Sequence, residues 1–298
     1  MGLFQLFHLK KTNPTLNRVK FDLKLREEPN DFEKIDPSKL GWVPDKEDPR
    51  DKPFSLDVNL KVESPTDKII DNTTQFKHVS NQLNLPSCAA NSGADFVEAA
   101  LAKRHGISPH DFPDLSRMFV WWNARHMMSP SESGNPESGT YNRFVFDVAV
   151  RFGVPEEKIW PYDNKVVDGL WERATRRPSL LAYSNARLHT LRSFHSIQAH
   201  GQKRLSLVIE ALHNFPGVVA GFRLPGNFTR YKEGVIQKPS PKDFAGNHSM
   251  IIVGYDPDLE AFKVRNHWGT GWGMDGYCWI HQDFVADPTK CGSLWVGK

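Results

Sequence analysis

Cys88, Cys278 and Cys291 are the only cysteines among 298 residues, and a sparse, odd set builds no disulfide framework. Such a chain suits a reducing compartment and keeps at least one thiol free. Cys88 stands apart because it immediately precedes a helix-like run, in QLNLPSCAANSGADF. A thiol at a helix N-terminus feels the positive end of the backbone dipole, which favours the nucleophilic thiolate. The competing reading is a small buried hydrophobe, the common fate of a free cysteine. Gln82 lies six residues upstream, where its amide and the Cys88 backbone N–H can together hold an oxyanion. An isolated Gln is ordinarily a solvated loop residue, so its spacing from Cys88 is what singles it out.

These groups need elements to hold them. CAANSGADFVEAALAKRHG runs from small residues to Gly106, a C-terminal cap signal. DLSRMFVWWNARHMM places Leu115, Phe119, Trp122 and Met127 near one face, YNRFVFDVAVRFG ends on Gly153, and WERATRRP reads as a short basic helix stopped by Pro178. After about Leu180 the pattern turns to strands (GVVAGFRL, SMIIVGYD, AFKVRN, GYCWI, SLWVG), with RLSLVIEALHNF as a helix between them. Helices first and strands later predict an α+β protein of two lobes, with chemistry in the cleft between them. Residues 1–75 differ: charged, Pro-punctuated and without a sustained period, they read as an extended arm.

Three segments carry a family resemblance. Gln82 to Cys88 resembles the nucleophile loop of papain-like cysteine peptidases, GNHSMIIVGYD their histidine strand, and VRNHWGTGWGMDGYCWI their asparagine block. NARHMM, SGTYNRFVFDVAVRFGVPEEKIWPYD and SLWVG resemble further elements of the bacterial and archaeal branch, so the likeness spans residues 81–298. It implies a two-lobe fold, with a helical lobe over about 82–178 and an antiparallel β-barrel-like lobe over about 179–298, together forming a peptidase domain over 76–298. It implies Cys88 as nucleophile, His248 as general base and acid, Asn266 orienting His248, and Gln82 in the oxyanion hole. Trp268 would screen the His248–Asn266 bond. Gly139, Ser138, Asn247 and Trp268 are the expected substrate-binding residues. The expected substrate is a peptide or protein, cleaved through a Cys88 thioester. Residues 1–75 are a candidate prosegment, expected to bind the chain's own cleft.

The sequence also departs from the family. A second cysteine of the nucleophile loop is Leu85, the usual Trp after the nucleophile is Ala89, and the familiar Asn-Ser-Trp is Asn266-His267-Trp268. Two other functions keep the same residues: a peptide-binding protein without turnover, and a thiol-dependent acyl transferase.

Composition narrows the field. The net charge is +3 from 38 basic and 35 acidic residues, interspersed, which gives no footprint for nucleic acid. No apolar run reaches the ~18 residues of a membrane span. MGLFQLFHLKK carries its basic residues after a short apolar run, unlike a secretory signal, and Leu6 stands where a myristoylation motif needs Ser or Thr. A cytoplasmic protein, or one exported without a recognisable signal peptide, is the expectation. Cys278 and His281 have metal-ligand spacing but no second pair, so no metal and no cofactor are expected.

Overall fold

The computed structural model describes residues 40–55, 68–162, 166–167, 170–240 and 242–298. The parts of the expected N-terminal extension at 1–39 and 56–67 lie outside the described residues. In chain order the elements are β1 (Trp42–Val43), β2 (Ile70–Asp71), α1 (Cys88–His105), α2 (Arg117–Met128), β3 (Thr140–Tyr141) and α3 (Asn142–Arg151). Then follow β4 (Val166–Val167), β5 (Leu170–Trp171), α4 (Glu172–Thr175), α5 (Leu180–Ala186), β6 (Phe194–Ser196), α6 (Gly201–Asn214) and β7 (Val218–Leu224). The chain ends with β8 (Val235–Ile236), β9 (Gly246–Asp256), β10 (Ala261–Arg265), β11 (Tyr277–His281), α7 (Gln282–Ala286) and β12 (Cys291–Gly297).

The helical half is built from α1, α2 and α3, which pack on one another. α1 starts at Cys88 and stops where Gly106 turns left-handed (φ 66°), donating its N–H back to the Ala102 and Lys103 carbonyls. α2 is capped by the Ser116 side chain, which accepts from the Phe119 N–H at 3.0 Å. The one-sided apolar face expected for α2 gives way to a helix buried all round, from Met118 to Arg125. Arg125 makes this tolerable. Its guanidinium stacks on Trp121 and donates to the carbonyls of Glu132, Asn135 and Ala174, leaving no bare charge inside. Trp121 in turn donates to the Ser138 carbonyl at 3.2 Å, so α2 holds the loop that precedes β3.

The strand half is a single sheet in the order β6-β12-β7-β9-β10-β11-β8, with β2 added to β9. Among the described residues it does not close into the expected antiparallel barrel. Its outermost strand β8 is two residues long and pairs parallel with β11, too short to carry the ladder round to β6. β9 is the spine: it pairs with β7 through Gly246–Ile252 and with β10 and β2 beyond. Eight consecutive buried residues in β9 show no alternation, because α1 and α6 both pack against it. Ile70 and Asp71, within the expected extension, pair with Tyr255 and Gly254 of β9.

One hydrophobic cluster runs from Phe96, Trp121 and Phe146 through Val219, Ile252 and Trp295, joining the two halves. α5 falls where only strands were expected: Ser179 caps it, while Leu180 and Leu181 are exposed. No helix among the described residues is long and apolar enough to cross a membrane.

Candidate active site

Cys88 opens α1, so its sulfur sits where free backbone N–H groups converge. The N–H groups of Ser249, Gly41 and Ala89 all face it. Complete burial nevertheless outweighs these N–H groups and pushes the thiol up to about 11. Ser249 follows His248 in β9, so the contact of α1 with β9 brings the thiol and the imidazole to the same spot.

His248 is buried early in β9. Its Nε2 lies 2.9 Å from Asn266 Oδ1. An amide oxygen only accepts, so Nε2 carries the proton and Nδ1 keeps its lone pair. Nδ1 is buried without a hydrogen-bond partner. Burial and then the His267 ring, with centroids 4.8 Å apart, hold the His248 pKa well below its ordinary value. Asn266 Oδ1 also accepts from the His267 N–H at 2.9 Å, and His267 Nε2 reaches the Ser249 carbonyl at 2.7 Å.

Trp268 packs on His248 at 4.9 Å and against Phe228 and Trp272, which keeps water from the His248–Asn266 bond. It is buried between His248 and Gln82, its N–H donating to Gln82 Oε1 at 3.0 Å. That bond fixes the Gln82 amide so that Nε2 is the donor, with one hydrogen on the Leu85 carbonyl at 2.7 Å and a second left over. The loop is stitched down at both ends. Gln82 N–H donates to the His267 carbonyl, and the Tyr162 hydroxyl bonds the Gln82 carbonyl (2.6 Å) and Ser87 Oγ (2.7 Å).

Gly139 and Asn247 flank the site from opposite sides, and residues 40–43 run between them. The Gly41 carbonyl accepts from Thr140 N–H at 2.9 Å, Trp42 and Val43 pair parallel with Thr140 and Tyr141, and Gly41 bridges Asn247. Two glycines make the passage possible. A Cβ on Gly41 would strike the Pro86 carbonyl, and one on Gly139 would strike the Gly41 carbonyl. Ser138 contributes its carbonyl to Trp121, and its hydroxyl donates to the Gly139 carbonyl at 3.2 Å. The structure thus brings Cys88, His248, Asn266, Gln82, Gly139 and Asn247 together, with Trp268 behind the imidazole. Gly41 and Trp42 escaped the sequence reading, although GW amid charged residues was a local signal. Arg143 escaped it too: on α3, it binds Asp51 at 2.5 Å and Asp48 at 3.1 Å.

Cys278 lies buried within β11, and His281 caps α7 through the Asp283 N–H. Among the described residues no three His, Cys, Asp or Glu side chains cluster as metal ligands.

A family model described as papain family cysteine protease matches residues 66–294. A peptidase C1-like protein of Acanthamoeba polyphaga mimivirus is 26% identical over 285 residues, covering 86% of each chain. Ananain of Ananas comosus is 38% identical over 85 residues, covering 28% of this chain and 24% of that protein. Among solved structures, xylellain, a cysteine protease from Xylella fastidiosa, aligns with a TM-score of 0.75 at 26% identity, covering 89% of this chain and 97% of its own. Procathepsin B from Trypanosoma congolense shares the fold at 16% identity, with a TM-score of 0.67 over 88% and 87% of the two chains.

Proposed function

The chain belongs to the papain family of cysteine proteases, and from that premise we propose that it hydrolyses peptide bonds through a thioester on Cys88, in a site covered by its own residues 40–51. The observation that carries the mechanism is the His248–Asn266 bond under Trp268, which leaves His248 Nδ1 buried as a bare acceptor, one residue from the Ser249 N–H that faces the thiol.

Once the cleft is uncovered, Nδ1 takes the Cys88 proton and the thiolate attacks a peptide carbonyl. The Cys88 N–H and the remaining Gln82 Nε2 hydrogen stabilise the tetrahedral oxyanion. The imidazolium returns its proton to the departing amine. Water, deprotonated by the same nitrogen, then cleaves the thioester and regenerates the thiol. Asn266 keeps the ring in one tautomer and one orientation throughout. The main-chain groups that Gly41 now meets, on Thr140 beside Gly139 and on Asn247, bind the extended peptide.

Covering has its own test. Gly41→Val puts a side chain against the Pro86 carbonyl, so in the full chain an epoxysuccinyl thiol-protease inhibitor should add once to Cys88, faster than in the parent. Cys88→Ala should take no adduct and cleave no peptide, and Gln82→Ala should lose about 10²–10³ in kcat. Labelling unchanged in folded Gly41→Val rejects the cover and keeps the enzyme. A parent that cleaves nothing under any condition, with its fold intact, rejects the peptidase.

A further inference from the structure

The proposed oxyanion hole takes one donor from the Gln82 amide and one from the Cys88 N–H, and residues 83–87 run between them. That loop is under strain. Leu83 sits at φ 54°, in the left-handed region that glycine favours, with its N–H held by Asn81 Oδ1 at 2.8 Å. A residue in that region persists only where its surroundings over-determine it. Here the Tyr162 hydroxyl supplies the constraint, spanning the loop from the Gln82 carbonyl (2.6 Å) to Ser87 Oγ (2.7 Å).

Every proton in this bridge has one direction. The Gln82 carbonyl only accepts, so the Tyr162 O–H donates to it, and Ser87 must then donate to the Tyr162 oxygen. The Leu85 carbonyl, 3.4 Å from Ser87 Oγ, is the poorer acceptor. Ser87 Oγ accepts in turn from Asn91 Nδ2 at 3.0 Å. The Asn91 amide can face only that way, because its Oδ1 accepts from Arg117 Nη1 at 3.2 Å and a guanidinium only donates. Arg117 is itself fixed twice over. It pairs with Glu157 at 3.2 Å and lies over the Tyr162 ring, 4.3 Å from its centre. Glu157 also accepts the Tyr162 N–H at 2.7 Å. A one-way chain of donors therefore runs from the Arg117 cation through Asn91, Ser87 and Tyr162 to the Gln82 backbone. Gln82, Ser87 and Asn91 are buried, so solvent does not replace a bond lost here. Burial also pushes the Tyr162 hydroxyl up to about 12, which keeps in place the proton it donates.

We propose that Tyr162 is a positioning residue for the oxyanion hole: by clamping the Gln82 backbone to Ser87, beside Cys88, it keeps the Gln82 side-chain donor in register with the Cys88 N–H. The Trp268 N–H fixes which way the Gln82 amide faces, through Oε1, and Tyr162 fixes where it stands. The inference rests on the peptidase reading and adds a residue that acts only through Gln82.

The test is a double-mutant cycle on peptide cleavage by the full chain, run also in the Gly41→Val background. Tyr162→Phe removes one oxygen and keeps the ring against Arg117. It should lower kcat about 30-fold and leave KM within about twofold, because a misplaced donor is felt most in the tetrahedral state. Added to Gln82→Ala, the same change should cost less than about twofold, since no donor is left to position. Alkylation of Cys88 by iodoacetamide, a displacement that forms no oxyanion, should keep the parent rate in Tyr162→Phe. Losses that multiply in the double variant, or alkylation slowed as much as cleavage, overturn the positioning role and leave the peptidase standing. If Tyr162→Phe does not fold, Ser87→Ala carries the same cycle, taking away one of the hydroxyl's two bonds with a smaller first loss. A parent that is alkylated yet cleaves no peptide in either background overturns the peptidase reading itself.

Discussion

Arg265 and Arg143 are both buried arginines that meet carboxylates, yet their partners come from different places. Arg265, at the end of β10 and next to Asn266, grips Asp95 of α1 at 2.9 Å through Nη2 and at 3.1 Å through Nε. Its remaining donors go to the Lys77 and His78 carbonyls and the Tyr277 hydroxyl. All these partners fall within the family match, and the ion pair ties the cysteine helix to the asparagine strand. Arg143 meets Asp48 and Asp51, and its backbone N–H meets Asp45 at 3.3 Å. All three aspartates follow β1 on the covering segment. The same side-chain chemistry thus joins the α1 helix to β10 in one case, and in the other joins α3 to residues 48–51, the segment we propose as a cover. A buried pair of the first kind cannot open without leaving a charge unsolvated; in the second, Asp48 keeps part of its side chain in water, and we propose that this contact is the one that opens.

Breaking the Arg265 pair should have the largest effect. Asp95→Ala leaves a guanidinium buried without its counter-charge and should cost about 3–5 kcal/mol in denaturant unfolding, with loss of peptidase activity. A stability change below 1 kcal/mol would place the two arginines in one class and dissolve the contrast. Arg143→Gln comes next. Cys88 labelling in the full chain should rise about 10-fold, equivalent to about 1.4 kcal/mol, while global unfolding moves by less than that. Unfolding with no separate gain in labelling would show that Arg143 holds the body and not the cover.

The smallest effect sharpens the comparison through pH. Burial pushes the Asp45 carboxyl up to about 6, against the bonds it accepts from the Trp295 and Arg143 N–H groups. Its value in the closed form exceeds that of a solvated carboxyl, near 3.9, so closure binds a proton. The cover should therefore tighten as pH falls from 7 to 5, by about 1 kcal/mol. Asp48 is held well below the usual carboxylate range, chiefly by Arg50 on the same segment, and stays ionised over that window. Hydrogen exchange at residues 42–45, corrected for intrinsic rates, should slow between pH 7 and 5. Faster exchange would mean that Asp45 does not govern closure.

Much of the site was legible because chemistry restricts residue type. Only a free thiol, an imidazole and side-chain amides suit the roles proposed for them; position drew attention to Cys88 and Gln82, while His248 and Asn266 were named through the resemblance of their segments. The ends of α1 were readable for the same reason, since Gly106 is a backbone requirement. The misreadings share another cause. α2 was expected to be one-sided from the spacing of Leu115, Phe119, Trp122 and Met127, but Arg125 on its other side is satisfied by carbonyls of Glu132, Asn135 and Ala174, far along the chain. α5 escaped because Leu180 and Leu181 point outward, against the period that reveals a helix. The barrel-like closure was what the family resemblance implied, whereas the sheet's edge depends on a two-residue parallel pairing. Asn91 and Tyr162 look unremarkable singly; their meaning is a set of contacts between distant segments.

On the covering reading we propose, the pairing of Gly41 with Thr140 joins a ligand and its site on one polypeptide, and that changes the molecularity of the equilibrium. A cover attached to its target acts at a fixed local concentration set by the chain that connects them. Diluting the protein leaves occupancy untouched, and a competing peptide must outbid that concentration to reach Cys88. One cut between Val43 and Ile70 would convert closure into a bimolecular encounter. From then on occupancy would fall with dilution, so at nanomolar protein a single scission would be a step without return.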